Sequence, residues 1–263
     1  MHASQLNAAG VGRLSDALRG LVIRKERHRA RASYFGRAPM AFQRIVSNRV
    51  GKPVFTQANR RHRAIWIHIP KNAGTSLRTG LGFDDVGHQP IARYAAHDAA
   101  AVERYFKFAI VRNPWDRLQS AFRYLRRHPV GAAFDDAVFA DRNLRQFADF
   151  EEFVLAMADD RAKRGVLDYT HFLPQLFWLT LPGEDGLKVD YVGRFENLGK
   201  VYSELSERFQ TAGDLPDMNS QRVSNFRELY TPTMRDIVAE MYASDIAAFD
   251  YQFDEATRGP DNA

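Results

Sequence analysis

Twice in this chain a short apolar segment leads into a polar loop and then into a stretch with helical periodicity. The first unit reads "AIWIHIPKNAGTSLRTGLGF" and the second reads "YFKFAIVRNPWDRLQSAFRYLRR". Apolar, β-branched segments of this length predict buried strands, and the order strand, loop, helix favours parallel strands. We therefore predict an α/β fold of three layers, with helices on both faces of a central parallel sheet.

Later segments extend the same pattern. Helical periodicity predicts helices in "LRQFADFEEFVLAMADD" and "ENLGKVYSELSERFQ", and "KVDYVGRF" is predicted as a short strand between them. The segment "TPTMRDIVAEMYASDIAAFDY" predicts one C-terminal helix, with Thr231 as its N-cap and Pro232 in its first turn. Strands and helices thus alternate from residue 64 onwards.

The charge distribution separates the N-terminal part from the rest of the chain. Residues 1–63 contain 14 Lys and Arg against 2 Asp and Glu, and residues 64–263 contain 23 against 30, so their net charges are +12 and −7. We predict a basic extension over 1–63, partly helical or disordered, and one domain over 64–263. Within the extension, residues 11–37 favour peripheral contact with an anionic membrane, a solvated arm, or a helix packed on the core.

Composition indicates the compartment. The chain has no cysteine and no apolar run of the ~18 residues that a membrane-spanning helix needs. Its N-terminus lacks the apolar core of a secretory signal. We therefore expect a cytoplasmic protein, with the inner face of the membrane as its place of attachment if the basic extension binds there.

The lysine loop (residues 71–76) has the composition of an anion-binding turn. After the lysine the residues are small, so their backbone N–H groups can turn around an anion, and the helix that follows adds its partial positive charge. The Gly-Lys-Ser/Thr of the nucleoside triphosphate loop is missing, which indicates another kind of anion site. The predicted anion-binding residues are Lys71, Asn72, Ala73, Gly74, Thr75 and Ser76.

The arginine segment (residues 112–120) follows the second strand. Arg112 ends the strand, and Asn113 and Pro114 are expected as N-cap and first residue of the next helix. Ser120 comes two helical turns later, on the face that looks back toward the strand end, so guanidinium and hydroxyl can bind one phosphate. The alternative is that Arg112 pairs with Asp116 and that the serine only packs.

Together, "HIPKNAGTS" and "VRNPWDRLQSAF" resemble two motifs of the sulfotransferases, in the carbohydrate-type branch that includes heparan sulfate 2-O-sulfotransferases and bacterial family 2 enzymes. The resemblance covers roughly residues 64–253. It implies a fold like that of P-loop nucleoside triphosphate hydrolases, and a lysine loop that binds the 5′-phosphosulfate of 3′-phosphoadenosine 5′-phosphosulfate (PAPS). It also implies that the arginine segment binds the 3′-phosphate and that no metal is required. From position alone, a loop before the last helix is expected to close over the nucleotide through Asn219, Ser220 and Arg222.

Transfer to a hydroxyl needs a base, for which we predict His88. An unperturbed imidazole pKa near ~6.5 suits proton removal near neutrality, and related bacterial sequences place a histidine after the first helix. Asp84, Asp85 and, more weakly, His97 are alternatives. Lys71 is expected to act in catalysis as well, because charge develops on the leaving 5′-phosphate.

Other polar residues allow both a functional and a structural interpretation. His68 lies inside a predicted strand, so we interpret it as a core histidine. His171 and Gln175 are predicted either to contact the acceptor or, for the histidine, to anchor an aromatic cluster. Arg194 and Glu196 resemble a family element, and a buried ion pair explains them equally well.

These observations lead to one predicted function and two alternatives. The prediction is a PAPS-dependent sulfotransferase that moves a sulfuryl group in line to a hydroxyl of a saccharide, glycolipid or related acceptor. A magnesium-dependent phosphotransferase is disfavoured, because Gly-Lys-Ser/Thr and a clear magnesium-binding aspartate are missing. A polyanion-binding module is disfavoured because the domain is acidic, so we expect no nucleic acid partner.

Overall fold

The computed structural model of the protein describes residues 54–127, 134–211 and 225–254. Within them, three strands form one parallel sheet in the order β1-β2-β3, which are Ala64–Ile67, Phe106–Val111 and Tyr191–Arg194. The α-helices are α1 (Gln57–His62), α2 (Gly74–Leu81), α3 (Ile91–His97), α4 (Ala99–Arg104), α5 (Pro114–Arg127), α6 (Phe134–Asn143), α7 (Phe150–Ala156), α8 (Asp160–Leu167), α9 (Gln175–Leu179), α10 (Leu198–Phe209), α11 (Pro232–Met241) and α12 (Ala243–Phe249).

The register of the sheet places all three carboxyl ends at one edge. Residues 64–67 pair with 106–109, and residues 108–111 pair with 191–194. In parallel α/β sheets, ligands bind at this edge, where loops and helix N-termini converge. The lysine loop follows β1 there, and the arginine segment follows β2.

Both faces of the sheet are covered by helices. Trp66, Phe108 and Ile110 pack in one cluster with apolar residues of α2 and α10. The alternate residues of β1 and β2 point to the other face, where they pack with α3, α9 and α12. Alternation of side chains along a strand explains why these strands are apolar at nearly every position. The predicted three-layer α/β/α fold is confirmed.

Two predicted helices differ from the structure. The C-terminal segment forms α11 and α12 instead of one helix, because Tyr242 leaves the helical conformation with φ −119° and ψ 27°. Its buried hydroxyl donates to the carbonyl of Phe172 at 2.9 Å, which holds the chain at the break. The stretch 144–160 is likewise interrupted, since Asp149 and Asp159 act as N-caps and start α7 and α8 separately.

A packed helix precedes the predicted domain boundary at residue 64. Helix α1 is capped by Thr56, and the Asn59 side chain donates to the carbonyl of Ala64 at 2.8 Å. Residues 11–37 lie outside the described part, as do Asn219, Ser220 and Arg222. Among the helices of the described ranges, none has the length and apolar character needed to cross a membrane.

Candidate active site

The lysine loop has a strained backbone. Lys71 and Ala73 adopt the left-handed conformation, with φ of 72° and 60°. Such conformations cost about 1–3 kcal/mol each in residues other than glycine and cluster at functional sites. Ala73 occupies the N-cap position of α2 and has no side chain that accepts a hydrogen bond, so the first N–H groups of α2 remain available to a bound anion.

Gly74 allows this loop to approach β1 closely. A Cβ atom at this position would lie 1.7 Å from Nε2 of His68. The His68 ring is itself held between two rings, with centroids 4.8 Å from Trp66 and 4.3 Å from His88. His68, interpreted above as a core histidine, is half-buried and forms the surface against which the loop packs.

Two buried amides join the lysine loop to the arginine segment. The Asn72 side chain donates to the carbonyl of Ile110 at 2.7 Å and to Oε1 of Gln175 at 2.8 Å. The same Oε1 accepts from the Arg112 N–H at 2.9 Å, and Nε2 of Gln175 donates to the Arg112 carbonyl at 2.9 Å. Gln175 is fully buried, so it positions the two loops and does not face an acceptor.

The Arg112 guanidinium lies beside the lysine loop. One of its terminal nitrogens donates to the carbonyl of Lys71 at 2.9 Å, and Nε donates to Asp116 at 2.8 Å. The plane also stacks over the ring of Phe195, 4.1 Å from its centroid. The pairing with Asp116 that the sequence left open is therefore present. These bonds use two of the five N–H groups, so the guanidinium keeps donors for a phosphate.

Helix α5 starts as predicted. Oδ1 of Asn113 accepts from the Trp115 N–H at 3.1 Å, which confirms Asn113 as the N-cap. Ser120 is half-buried on α5, four residues before Tyr124 and therefore on the same face. That face looks toward the lysine loop, because Arg117 donates from it to the carbonyl of Pro70 at 3.2 Å. A phosphate shared by Ser120 and the guanidinium stays a prediction.

The ammonium of Lys71 rests on an aromatic ring. Its Nζ lies 3.9 Å from the centroid of Tyr124. Burial and then the neighbouring charge of Arg112 lower the pKa of Lys71 to about 8. A lysine with so low a pKa is costly to keep charged in this place, and an anion in the loop would offset that cost.

His88 is held in one tautomer by the backbone. Its Nδ1 lies 2.9 Å from the carbonyl oxygen of His68, which only accepts, so Nδ1 carries the proton. Nε2 of the neutral ring then presents a lone pair. Burial, followed by the proximity of His171, lowers the pKa of His88 to about 4. The imidazole is therefore neutral at pH 7, but its pKa lies well below the ~6.5 on which its prediction as the base relied.

The alternative bases have other contacts in the structure. Asp84 accepts from the N–H of Ala58 at 3.5 Å, and Asp85 pairs with Arg78 at 2.6 Å. His97 ends α3 and stacks on Phe55, with a centroid distance of 6.0 Å. Among the described residues, no group of three or more His, Asp or Glu side chains is arranged to hold a metal ion.

A network that the sequence did not indicate lies next to His88. Nε2 of His171 is 3.1 Å from Asp136, whose carboxylate also accepts from the hydroxyls of Tyr124, at 3.0 Å, and Tyr169. The ring centroid of His171 is 5.8 Å from that of His88 and 5.1 Å from that of Tyr124. The imidazoles and the lysine loop thus form one continuous cluster. No motif or period marks Asp136 or the two tyrosines beforehand.

The end of β3 contributes support for the arginine segment. Glu196 accepts from the Asn113 N–H at 2.6 Å and from the Tyr251 hydroxyl at 3.1 Å. Arg194 donates to the carbonyl of Phe249 at 2.7 Å and stacks over Tyr251. Both residues therefore tie β3 to the last described segment of the chain.

Comparison with known proteins agrees with this geometry. No curated protein and no solved structure matches the chain. The model of the Sulfotransferase family matches residues 56–252, a range that contains the lysine loop, the arginine segment and all three strands. Because the match covers most of the chain, the protein belongs to the sulfotransferase family.

Proposed function

We propose that this sulfotransferase takes its sulfuryl group from PAPS and transfers it to a hydroxyl of a saccharide, glycolipid or related acceptor, as in the carbohydrate-type branch. The observation that carries the proposal is the hydrogen bond from the Arg112 guanidinium to the carbonyl of Lys71. It brings two predicted anion-binding groups together at the edge of the sheet where ligands bind.

The residues at this edge fit a donor with two anionic groups. The N–H groups at the start of α2 and the ammonium of Lys71 would hold the 5′-phosphosulfate. The guanidinium of Arg112, with Ser120, would hold the 3′-phosphate. The fit is supported by the left-handed backbone at Lys71 and Ala73, and by a loop with no room for a Cβ atom at residue 74. PAPS, when bound, supplies the sulfuryl group.

The chain's own residues supply charge and a base. Nε2 of His88 presents its lone pair and would accept the proton of the acceptor hydroxyl. Lys71 would stabilise the charge that develops on the leaving phosphate, an interaction that is stronger in the transition state than in the ground state. Gln175 and Asn72 hold both loops in register, which such positioning catalysis requires.

The donor is tested by calorimetric titration of the full chain with 3′-phosphoadenosine 5′-phosphate, beside adenosine 5′-phosphate and ATP, without magnesium. We expect tight binding of the 3′,5′-bisphosphate only. A radiolabelled sulfuryl donor offered with a panel of glycosides then tests the acceptor class. Equal affinity for all three nucleotides would contradict the proposal, and magnesium-dependent binding and turnover of ATP would replace it by phosphotransfer.

The site of action is a separate part of the proposal. We place the enzyme in the cytoplasm, at the inner face of the membrane, with residues 11–37 as the contact to anionic lipid. The support is the charge of +12 that the sequence carries over residues 1–63. Flotation with vesicles containing phosphatidylglycerol tests it, because charge-reversal substitutions within residues 11–37 should abolish co-flotation. Unchanged flotation would exclude this contact.

A further inference from the structure

A buried imidazole nitrogen without a partner lies beside the proposed base. Nδ1 of His171 is buried and has no hydrogen-bond partner among the described residues. The whole side chain is 8% exposed. Leaving a buried polar atom unpaired costs about 1–3 kcal/mol, so such an atom in a folded protein calls for an explanation.

The neighbours of His171 determine which nitrogen carries its proton. Nε2 lies 3.1 Å from the Asp136 carboxylate. Burial opposes ionisation of Asp136, but hydrogen bonds from His171, Tyr169 and Tyr124 outweigh it and lower its pKa to about 2. An ionised carboxylate only accepts, so Nε2 donates and Nδ1 presents a lone pair. A carboxylate holds the imidazole of a serine hydrolase in one tautomer in the same way.

His171 lies between the lysine loop and His88. Its ring centroid lies 5.1 Å from that of Tyr124, and the ammonium of Lys71 contacts the same tyrosine ring. Arg117 donates to the His171 carbonyl at 3.3 Å. The charged groups around the ring are therefore Asp136 on α6, Arg117 on α5 and Lys71 in its loop, with His88 as the nearest second imidazole.

The two imidazole rings are neighbours, and each has one unprotonated nitrogen. Their ring centroids are 5.8 Å apart and their planes are inclined by 75°. Two such rings can each accept one hydrogen bond from hydroxyls on neighbouring carbons of one small molecule. An acceptor with a single hydroxyl would satisfy only one of the two nitrogens.

We propose that Nδ1 of His171 accepts a hydrogen bond from a second acceptor hydroxyl, adjacent to the one that His88 deprotonates, so that the enzyme selects vicinal diols. Asp136 is the positioning residue that keeps Nδ1 unprotonated. The inference rests on the proposed function, because it adds a contact that selects among the acceptors proposed there. A lone hydroxyl would leave the buried nitrogen unpaired, which corresponds to a ~10- to 100-fold preference for the diol.

The experiment compares trans-1,2-cyclohexanediol with cyclohexanol as acceptor probes for the full chain. In wild type, kcat/KM should favour the diol ~10- to 100-fold. His171→Gln keeps an amide donor toward Asp136 but has no acceptor at the Nδ1 position, so the preference should vanish. His171→Asn restores an acceptor near that position and should recover part of it. Damage to the fold would lower both rates and leave their ratio unchanged.

A second readout needs no transfer. Long-range ¹H–¹⁵N spectra with 3′-phosphoadenosine 5′-phosphate bound should show an unprotonated Nδ1 in His171 that shifts with the diol and not with cyclohexanol. Asp136→Asn places an amide donor against Nε2 and should move the proton to Nδ1, with loss of the diol preference. His62→Gln, at a half-buried histidine that stacks on Phe83, is the matched control and should keep the wild-type preference.

The outcomes separate this inference from the proposed function. Nucleotide binding with equal use of both probes, or a diol preference that survives in His171→Gln, would overturn the role of His171 alone. If neither probe is sulfated, the ¹⁵N shift of His171 Nδ1 tests the inference. A shift with the diol alone supports it, and no shift with the diol overturns it. Failure to bind the 3′,5′-bisphosphate would instead overturn the proposed function, and the specificity site with it.

Discussion

The lysine loop and the arginine segment occupy equivalent places, each after a parallel strand, but they differ in how many of their hydrogen-bond donors are already bonded within the protein. The lysine loop leaves donors open, since Ala73 cannot cap α2 and its backbone is left-handed. The arginine segment pairs part of its own donors, since Asn113 caps α5 and the Arg112 guanidinium already donates to Asp116 and to the carbonyl of Lys71. The lysine loop is thus strained and open, and the arginine segment is partly paired.

This difference predicts that the two regions have separate roles, one in the transfer step and the other in nucleotide affinity. The open N–H groups of α2 and the buried ammonium of Lys71, which rests on the Tyr124 ring, respond to charge that develops during the reaction. A guanidinium fixed by two hydrogen bonds loses little freedom when it binds a phosphate, so it contributes mainly to affinity. Loss of the Lys71 ammonium should therefore mainly lower kcat, and loss of the Arg112 guanidinium should mainly raise Kd.

The largest effect is expected for Lys71→Ala. Loss of an electrostatic donor at the leaving phosphate should lower kcat by ~10²–10³-fold, or about 3–4 kcal/mol, with a smaller change in nucleotide affinity. Single-turnover transfer and calorimetry measure the two quantities separately. The surface Lys188, which pairs with Glu184, provides the control Lys188→Ala. A Lys71→Ala enzyme with normal kcat and weakened binding would show that Lys71 contributes to nucleotide affinity and not to the transfer step.

Gly74→Ala tests the close approach of the lysine loop to His68. The new Cβ atom would overlap Nε2 of His68, and the ring cannot move aside between Trp66 and His88. Overpacking of this kind costs about 1–3 kcal/mol, so we expect ~10- to 100-fold weaker nucleotide binding.

The controls for Gly74→Ala come from the chain itself. Gly165 on α8 has open space where a Cβ atom would lie, so Gly165→Ala should bind the nucleotide normally. The double variant His68→Ala, Gly74→Ala removes the overlap and should recover affinity. Full affinity in Gly74→Ala alone would show that the loop does not need this close packing.

Arg112→Ala should weaken binding by about 1.5–3 kcal/mol, the range for a charged hydrogen bond, while kcat falls less. The loss should be confined to the 3′,5′-bisphosphate, with adenosine 5′-phosphate unaffected. Because the change also leaves Asp116 buried without its partner, the double variant Arg112→Ala, Asp116→Ala serves as the reference for stability. Equal loss for both nucleotides would mean that the guanidinium does not bind the 3′-phosphate.

The sequence predicted what depends on local pattern. Strand β2 and helix α5 lie where periodicity and the N-cap at Asn113 place them, and the parallel sheet brings their loops to one edge. That is why Lys71 and Arg112 could be predicted as neighbours without knowledge of any contact, whereas His88 was predicted from its imidazole chemistry and from the family resemblance.

The rest of the site depends on contacts between distant segments. Asn72 and Gln175 are 103 residues apart in the chain, and Asp136 and His171 are 35 apart. Neither pair has a period or a spacing that would reveal it. The break at Tyr242 has the same origin, since Asp245 on α12 must reach the N–H groups of residues 175 and 176. Tertiary hydrogen bonds override local helical preference there.

The smallest expected effect concerns His88 and the stability of the region behind the lysine loop. Its pKa is about 4 in the folded protein and ~6.5 when unfolded, so the unfolded state binds more protons between these values. Stability therefore falls as the pH drops from 7 to 5, by at most about 2 kcal/mol for this group. In His88→Gln, the free energy of unfolding measured with urea should therefore fall less between pH 7 and pH 5 than in wild type.

Other buried groups do not disturb this comparison. Burial raises the pKa values of Glu196 and Asp245, so they contribute with the opposite sign, but they do so equally in both proteins and the difference isolates His88. An identical decline in both proteins would show that His88 has the same pKa in the folded and unfolded chain. His88 would then not be held neutral by burial behind the lysine loop.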